Sequence, residues 1–323
     1  MSEAQLQILD LKNYMESEII GQSVLIERML IAMLANGHLL VEGAPGLAKT
    51  KAIKKMASAI ECDSHRIQFT PDLLPADITG SDVYRPENGT FVFQKGPVFH
   101  NLILADEINR SPAKVQSALL EAMGERQVTV GANTYLLPEL FMVMATQNPI
   151  ENEGTYPLPE AQLDRFLMYV KIGHPDAESE LKILKLARKE AKEDKAPIVM
   201  RISQKTIKAA KAEVQDVRIS PELERYIVNF ITATRCPKIY DETLSSYVEY
   251  GASPRGTIAL DFCSKALAWL RGRQEVALED IHAIIHDVLR HRVLLTYEAE
   301  AHGVTPDSFI DLLLDKVPLP VKS

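Results

Sequence analysis

The octapeptide GAPGLAKT is the feature that most constrains how this chain can fold. It follows a short, largely apolar segment (38–41) and precedes a segment with helical periodicity (49–60). A strand, a glycine-rich turn and a helix in this order form a phosphate-binding loop, because backbone N–H groups surround phosphate there. The alternative is a helix that happens to begin after a glycine turn. The expected phosphate-binding residues are Gly43, Ala44, Pro45, Gly46, Leu47, Ala48, Lys49 and Thr50.

Three positions of this loop carry most of the prediction. Lys49 is expected to reach the outer phosphate oxygens, and the Thr50 hydroxyl is expected to hold Mg²⁺. Ala48 stands where the general pattern has glycine. Alanine keeps the backbone N–H, so it is compatible with the loop if Ala48 adopts an ordinary helical φ.

Two further apolar runs end in polar residues. The run over residues 101–106 ends in Asp106 and is followed directly by Glu107. The run over residues 141–146 is followed closely by Asn148. In an α/β fold, ligands bind at the carboxyl ends of parallel strands, so these side chains are expected near the P-loop. Asp106 would hold the water shell of Mg²⁺, Glu107 would polarise an attacking water and Asn148 would orient it.

The pattern of elements changes along the chain. Near-continuous apolar strands alternate with helices up to about residue 174, which predicts a parallel sheet covered on both faces. Asn88-Gly89 and Gly131 each predict a hairpin within this part. Beyond it, strand signals nearly vanish and the periodicity predicts helices over 176–195, 203–214, 220–234, 254–273 and 278–295. We therefore expect an α/β domain over 1–174 and a helical domain over 175–323.

Composition narrows the functional classes. The formal net charge of −8 disfavours a nucleic-acid binder. No stretch approaches the roughly 18 apolar residues of a membrane span, and the acidic amino terminus does not resemble a signal peptide. Three unpaired cysteines, Cys62, Cys236 and Cys263, are expected to be small core residues in a reducing cytosol. A cytoplasmic protein without a membrane span is the resulting expectation.

The motifs together resemble the MoxR family of AAA+ ATPases. The segments that carry the resemblance are IIGQ (19–22), GAPGLAKT, ADEINR with the following KVQSALLEAMGERQV, ATQNP, LPEAQLDRFLM and GASPRG. The resemblance implies an αβα P-loop core with strand order 5-1-4-3-2, followed by an all-helical lid. It also implies ATP and Mg²⁺ as cofactors, with ATP bound between core and lid. Ala48 fits this family, whose pattern has alanine there.

The resemblance also implies roles for individual residues. Lys49 and Thr50 correspond to Walker A, Asp106 and Glu107 to Walker B, and Asn148 to sensor 1. Arg255 resembles sensor 2, and Arg165 resembles an arginine finger that acts on the neighbouring subunit's ATP, with Arg110 as a further candidate. Ile20, Gly21 and Gln22 resemble the segment that contacts adenine. Residues 71–98 resemble the helix-2 insertion of this clade, and residues 127–138 resemble its pre-sensor hairpin.

Three functions remain open at this point. The first is a ring-forming ATPase, usually hexameric, that remodels protein complexes with a von Willebrand factor A domain partner. The second is a nucleic-acid-dependent motor, which the acidic charge disfavours. The third is a nucleotide-gated scaffold without hydrolysis, which the joint presence of Glu107, Asn148 and Arg165 disfavours.

Overall fold

The computed structural model describes residues 1–148, 154–190 and 201–320 of the 323-residue chain. Strands are numbered in chain order. They are β1 (Leu39–Glu42), β2 (Ser64–Gln68), β3 (Gly80–Arg85), β4 (Thr90–Lys95), β5 (Leu102–Asp106), β6 (Gln127–Val130), β7 (Asn133–Leu136), β8 (Met142–Gln147), β9 (Met168–Lys171), β10 (Val248–Tyr250) and β11 (Leu294–Leu295).

Helices are numbered in the same way. They are α1 (Glu3–Glu18), α2 (Ser23–Leu34), α3 (Lys49–Ala59), α4 (Pro75–Thr79), α5 (Ala113–Glu125), α6 (Glu160–Leu163), α7 (Ala177–Glu190), α8 (Gln204–Gln215), α9 (Pro221–Arg235), α10 (Pro254–Leu270), α11 (Leu278–Leu289), α12 (Tyr297–Ala301) and α13 (Pro306–Lys316). Short 3₁₀ turns span Pro97–Phe99, Ile108–Arg110, Pro237–Ile239 and Thr243–Ser246.

A five-stranded sheet with the order β2-β5-β8-β1-β9 lies at the centre of the α/β part. All four neighbouring pairs are parallel. Counting only these strands along the chain, the order is 2-3-4-1-5, which confirms the predicted 5-1-4-3-2 arrangement. Parallel pairing brings the carboxyl ends of the strands to one edge, so the segments after β1, β5 and β8 meet there.

Both predicted hairpins form. β3 pairs with β4 and β6 pairs with β7, each antiparallel. Gly89 and Gly131 have φ values of 63° and 59° in the connecting turns, which explains why glycine is favoured at both. The hairpins also touch each other, because the Phe93 ring stacks on Tyr135 with centroids 4.0 Å apart.

The helical region differs from the sequence prediction after Leu289. The helix predicted over 278–295 ends at Leu289, and Leu294–Leu295 instead form a strand that pairs with β10. A short antiparallel ribbon therefore interrupts a region expected to lack strands, because tertiary pairing overrides the apolar helical pattern of these residues. The helix predicted over 176–195 is present as α7, and residues 191–195 lie outside the described residues.

The amino-terminal helices connect the sheet to the helical region. α2 is apolar on nearly its whole circumference, and most of its side chains are fully buried in one core with helices α8, α10 and α11. Polar contacts reinforce this packing: Gln5 Nε2 donates to the Trp269 carbonyl at 2.5 Å, and Arg28 Nε lies 2.7 Å from Asp287 Oδ2. The predicted boundary near residue 174 stays a prediction, and a shared core spans it.

The cysteines do not all lie in the core. Cys263 is buried, Cys62 is half-buried and Cys236 is exposed. The expectation of three core cysteines is therefore wrong for Cys236, which is the C-cap residue of α9. Burial raises the pKa of both the Cys62 and the Cys263 thiols to about 12, so these two stay protonated near neutral pH.

Candidate functional site

The P-loop connects β1 to α3 at the carboxyl edge of the sheet, as the sequence predicts. The backbone approaches β9 closely there: a Cβ on Gly43 would lie 2.4 Å from Ile172 Cγ1. Gly46 has a φ of 88°, a conformation that side chains disfavour. These two glycines are therefore required by close approach and by backbone conformation, respectively.

 Ala48 has a φ of 57°, so the condition of an ordinary helical φ is not met. The left-handed conformation costs a residue with a Cβ roughly 1–2 kcal/mol, which explains why the general pattern has glycine there. Ala48 directly precedes α3 as its N-cap residue, so the strain lies at the junction between the loop and the helix.

Lys49 lies in the first turn of α3. Its Nζ donates a hydrogen bond to the Gly43 carbonyl at 2.7 Å, which holds the ammonium group over the loop. Burial lowers the pKa of Lys49, and the carboxylates of Asp106 and Glu107 oppose that shift. A negatively charged phosphate in the loop would favour the charged form further.

Asp106 ends β5 and accepts hydrogen bonds at both carboxylate oxygens. Thr146 Oγ1 donates to Oδ1 at 2.6 Å, and the Arg66 guanidinium donates twice to Oδ2, at 3.0 and 2.7 Å. Thr146 is buried in β8, so its hydroxyl fixes the position of the carboxylate from the neighbouring strand. Arg66 approaches from β2 on the other side.

Glu107 follows Asp106 and turns its side chain toward β2. Its φ of 56° is left-handed, and its backbone N–H donates to Thr146 Oγ1 at 2.9 Å. The carboxylate accepts a hydrogen bond from Gln68 Nε2 at 2.8 Å and lies 3.1 Å from Arg110 Nε. An unusual backbone conformation thus aims this carboxylate, and Gln68 and Arg110 hold it.

A cavity of 390 Å³ unites these groups. The P-loop, the two carboxylates and Asn148, which the sequence predicts to lie together, all line this cavity, and their roles stay predictions. Asn148 is buried. The lining residues are Pro45, Gly46, Leu47, Ala48, Lys49, Thr50, Lys51, Arg66, Asp106, Glu107 and Asn148.

A smaller, more apolar pocket of 120 Å³ adjoins the loop. It shares Gly46, Leu47 and Ala48 with the first cavity, and α7 forms its opposite wall. Ile20 and Gln22 line it, and Gly21 lies between them with a φ of 78°. This position beside the P-loop suits a flat apolar group such as a nucleobase.

The two arginines singled out in the sequence lie elsewhere. Arg165 Nη1 donates to the Leu120 carbonyl at 2.5 Å, and Arg255 Nη1 lies 3.8 Å from Asp164 Oδ2. Neither lines the cavity at the P-loop. β9 runs parallel to β1, with Met168 beside Leu39, so Arg165 precedes the amino edge of the sheet. The four-residue length of β1 alone separates the two edges by about 10 Å.

Sequence reasoning missed three residues that hold the carboxylates: Arg66, Gln68 and Thr146. Thr146 carried a signal, because it is a polar residue that follows four apolar residues in β8. Arg66 and Gln68 alternate along β2, and their proximity to Asp106 and Glu107 depends on β2 pairing with β5. Spacing in the sequence does not reveal that pairing.

Comparison with known proteins gives the family. The model of the ATPase family associated with various cellular activities (AAA) matches residues 38–168, and that of the AAA lid domain matches residues 242–312. The chain is 44% identical to "Chaperone MoxR1" of Mycobacterium tuberculosis over 303 residues, which cover 94% of this chain and 79% of that protein. The chain belongs to the MoxR family of AAA+ ATPases.

Two other similar proteins also match this chain over more than nine-tenths of its length. The chain is 41% identical to the Bacillus subtilis protein YeaC over 94% of this chain and 92% of that one. A crystal structure of a Cytophaga hutchinsonii protein superposes with a TM-score of 0.91 at 45% identity, covering 99% of this chain and 96% of the other. MoxR-type AAA+ architecture therefore accounts for the sheet, the P-loop and the helical region together. Across the described residues, no helix is long and apolar enough to cross a membrane.

Proposed function

We propose that this MoxR-family protein hydrolyses ATP with Mg²⁺ at the cavity beside the P-loop. The observation that carries the proposal is the shared lining: Lys49, Asp106, Glu107 and Asn148 all border one cavity. Phosphoryl transfer needs a phosphate cradle, a cation and a group that positions water, and these residue types supply them. A scaffold that only binds nucleotide would not require the group that positions water.

Each residue has a distinct role in the proposed reaction. Lys49 binds the outer phosphates, and the loop N–H groups surround them. Glu107 accepts a proton from the attacking water, and its contacts with Gln68 and Arg110 hold the carboxylate in place. Asn148 orients the water by hydrogen bonding. The pocket formed with Ile20 and Gln22 would take the adenine.

The residues present fit Mg²⁺. The hydroxyl of Thr50 and the carboxylate of Asp106 border the same cavity, and Mg²⁺ prefers such oxygen ligands together with substrate phosphates. When bound, Mg²⁺ would neutralise charge that develops on the phosphates. Asp106 accepts hydrogen bonds from Thr146 and Arg66, and these two contacts hold its carboxylate in a fixed orientation.

Hydrolysis is proposed to occur between subunits of a ring, with a hexamer as the expected size. Support comes from the position of Arg165 and Arg255 away from the cavity of their own chain. They lie near each other, because Asp164 contacts Arg255 and immediately precedes Arg165. Both arginines would then face the nucleotide of a neighbouring subunit, where added positive charge stabilises the transition state.

The proposed client is a protein complex. The relative from Mycobacterium tuberculosis carries the name chaperone, and we propose a remodelling role in the cytoplasm with a von Willebrand factor A domain partner. The two hairpins offer exposed side chains for client contact, Phe91 being 70% exposed. The second candidate, a nucleic-acid motor, is disfavoured by the net charge of −8. DNA-stimulated ATPase activity that vanishes with salt would favour it instead.

The substitution Glu107→Gln tests the proposed reaction. Glutamine keeps the size of the side chain and one oxygen that can accept the hydrogen bond from Gln68, but it cannot accept the proton. We expect ATP affinity within about threefold of wild type and turnover at least about 100-fold lower, the usual range for loss of a general base. Phosphate release and binding of a fluorescent ATP analogue would be measured with and without Mg²⁺.

Glu224→Gln is the matched control, because Glu224 is exposed on α9. Its turnover should equal that of wild type. Equal turnover of Glu107→Gln and wild type would refute the role of Glu107, and hydrolysis that persists in excess chelator would refute the role of Mg²⁺.

A further inference from the structure

A second cavity, of 630 Å³, lies at the edge of the sheet opposite the P-loop. Residues just before β1 and β8 and just after α5 form one side, and α8 forms the other. Four cationic side chains line it against one carboxylate, although the whole chain carries a net charge of −8. These charged residues are Arg126, Glu139, Lys205, Lys208 and Lys211.

The cations are held in place mainly by uncharged acceptors. Arg126 donates to the carbonyls of Asn36 at 3.0 Å and Glu139 at 3.3 Å, and Lys211 Nζ donates to Asn36 Oδ1 at 2.5 Å. Lys208 Nζ lies 2.7 Å from Glu139 Oε1. Of these four cations, Lys208 alone has a carboxylate of the described residues within salt-bridge distance. Carbonyl oxygens orient Arg126 and Lys211 without neutralising their charge.

The closeness of these cations to one another disfavours their charged forms. Burial and the nearby Arg126 lower the pKa of Lys211 to about 8, and Glu139 opposes the shift. Lys205 and Lys208, on the same helix, add further positive charge along the cavity wall. An anion bound among these groups would relieve the repulsion.

Unusual backbone conformation is a second feature of this cavity. Four non-glycine residues among those described have positive φ, and two of them, Ala48 and Glu107, lie in the nucleotide site. The other two, Asn36 (φ 55°) and Arg126 (φ 52°), both line this cavity. Arg126 occupies the end of α5, where glycine is common. Strain of this kind concentrates at functional sites.

We propose that this cavity binds a small polyvalent anion that carries two or more phosphate or carboxylate groups. The anion would bridge Arg126, on the α/β side, and Lys208 and Lys211 on α8. The cavity volume lies within the range of small-molecule sites. The proposal is independent of ATP hydrolysis, because none of these residues lines the cavity at the P-loop.

Calorimetric titration with tripolyphosphate and with citrate at constant ionic strength tests the site. A Lys49→Ala background weakens phosphate binding at the P-loop. We expect one bound anion per chain, at least tenfold weaker binding after Lys208→Gln or Lys211→Gln, and tighter binding after Glu139→Gln. Lys238→Gln is the control, because Lys238 is an exposed lysine that pairs with Glu242 outside the cavity.

A second readout follows from Lys211. Anion binding at pH 8 should be accompanied by proton uptake, detected by titrations in buffers of different ionisation enthalpy, and Lys211→Gln should abolish it. Preference for tripolyphosphate or for citrate assigns the ligand chemistry. Absence of binding, or equal weakening by Lys238→Gln and Lys208→Gln, would overturn the proposal, and thermal unfolding would verify that each variant is folded.

Discussion

At the scale of single residues, the site depends on backbone conformations that few side chains tolerate. Ala48 and Glu107 both have left-handed φ, and both border the cavity at the P-loop. At Glu107 the strain has a visible result, because the turn aims the carboxylate toward Gln68. At Ala48 the methyl group itself makes no recognisable contribution to phosphate binding, whereas the backbone N–H would.

The substitution Ala48→Gly tests this interpretation. Glycine relieves the left-handed strain but adds chain entropy in the unfolded state, so we expect a net gain of about 0.5–1 kcal/mol in the free energy of unfolding. ATP affinity should change by less than about threefold, since the N–H remains. Urea denaturation and nucleotide titration would measure both, and a loss of stability would show that the alanine is unstrained.

At the scale of elements, His38 connects α5 to β8 through the start of β1. Its Nδ1 accepts the Val143 N–H at 3.0 Å, and its Nε2 lies 3.3 Å from the Met123 carbonyl. This pattern requires a neutral imidazole with the proton on Nε2. Burial, together with the nearby Arg126, lowers the pKa of His38 to about 3.

Acidification should therefore destabilise the fold through His38. A histidine whose folded pKa is depressed contributes stability that is complete above its unfolded pKa of 6.5 and is lost as pH falls toward 3. At pH 5 the loss from this residue is about 2 kcal/mol. Urea denaturation at pH 7 and pH 5 would measure the free energy of unfolding, which should change less between the two pH values for His38→Gln than for wild type. His302→Gln is the matched control, because His302 is exposed, and it should behave as wild type.

At the scale of the whole molecule, we propose that two neighbouring chains complete each active site. Arg165 and Arg255 lie beyond the amino edge of the sheet, while Lys49, Asp106 and Glu107 lie at its carboxyl edge. If the ring brings the two edges together, a site needs Glu107 from one subunit and Arg165 from the next.

Mixing two inactive variants tests this arrangement. Arg165→Ala and Glu107→Gln should each lose turnover alone. In random mixed rings, half the subunits keep Glu107 and half their neighbours supply Arg165, so about one quarter of the sites should recover activity. Phosphate release from the mixture would measure the recovery. A mixture as inactive as its components would place Arg165 in the site of its own chain.

Much of the architecture could be predicted from the sequence. Local patterns were sufficient for the P-loop, both hairpins and most helices, because glycine conformation, capping and apolar periodicity act over a few residues. The strand order came from the family resemblance. The final pairing of Leu294–Leu295 with β10 could not be predicted locally, because its partner lies more than forty residues away.

The sequence by itself therefore determined the P-loop, the acidic strand end and the family to which they point. Only the tertiary structure decided that Arg66, Gln68 and Thr146 hold the two carboxylates, that Ala48 is left-handed and that Arg165 lies far from its own P-loop. The physical reason is that motifs record which groups follow one another in the chain. The pairing of strands and the burial of helices determine which distant groups meet.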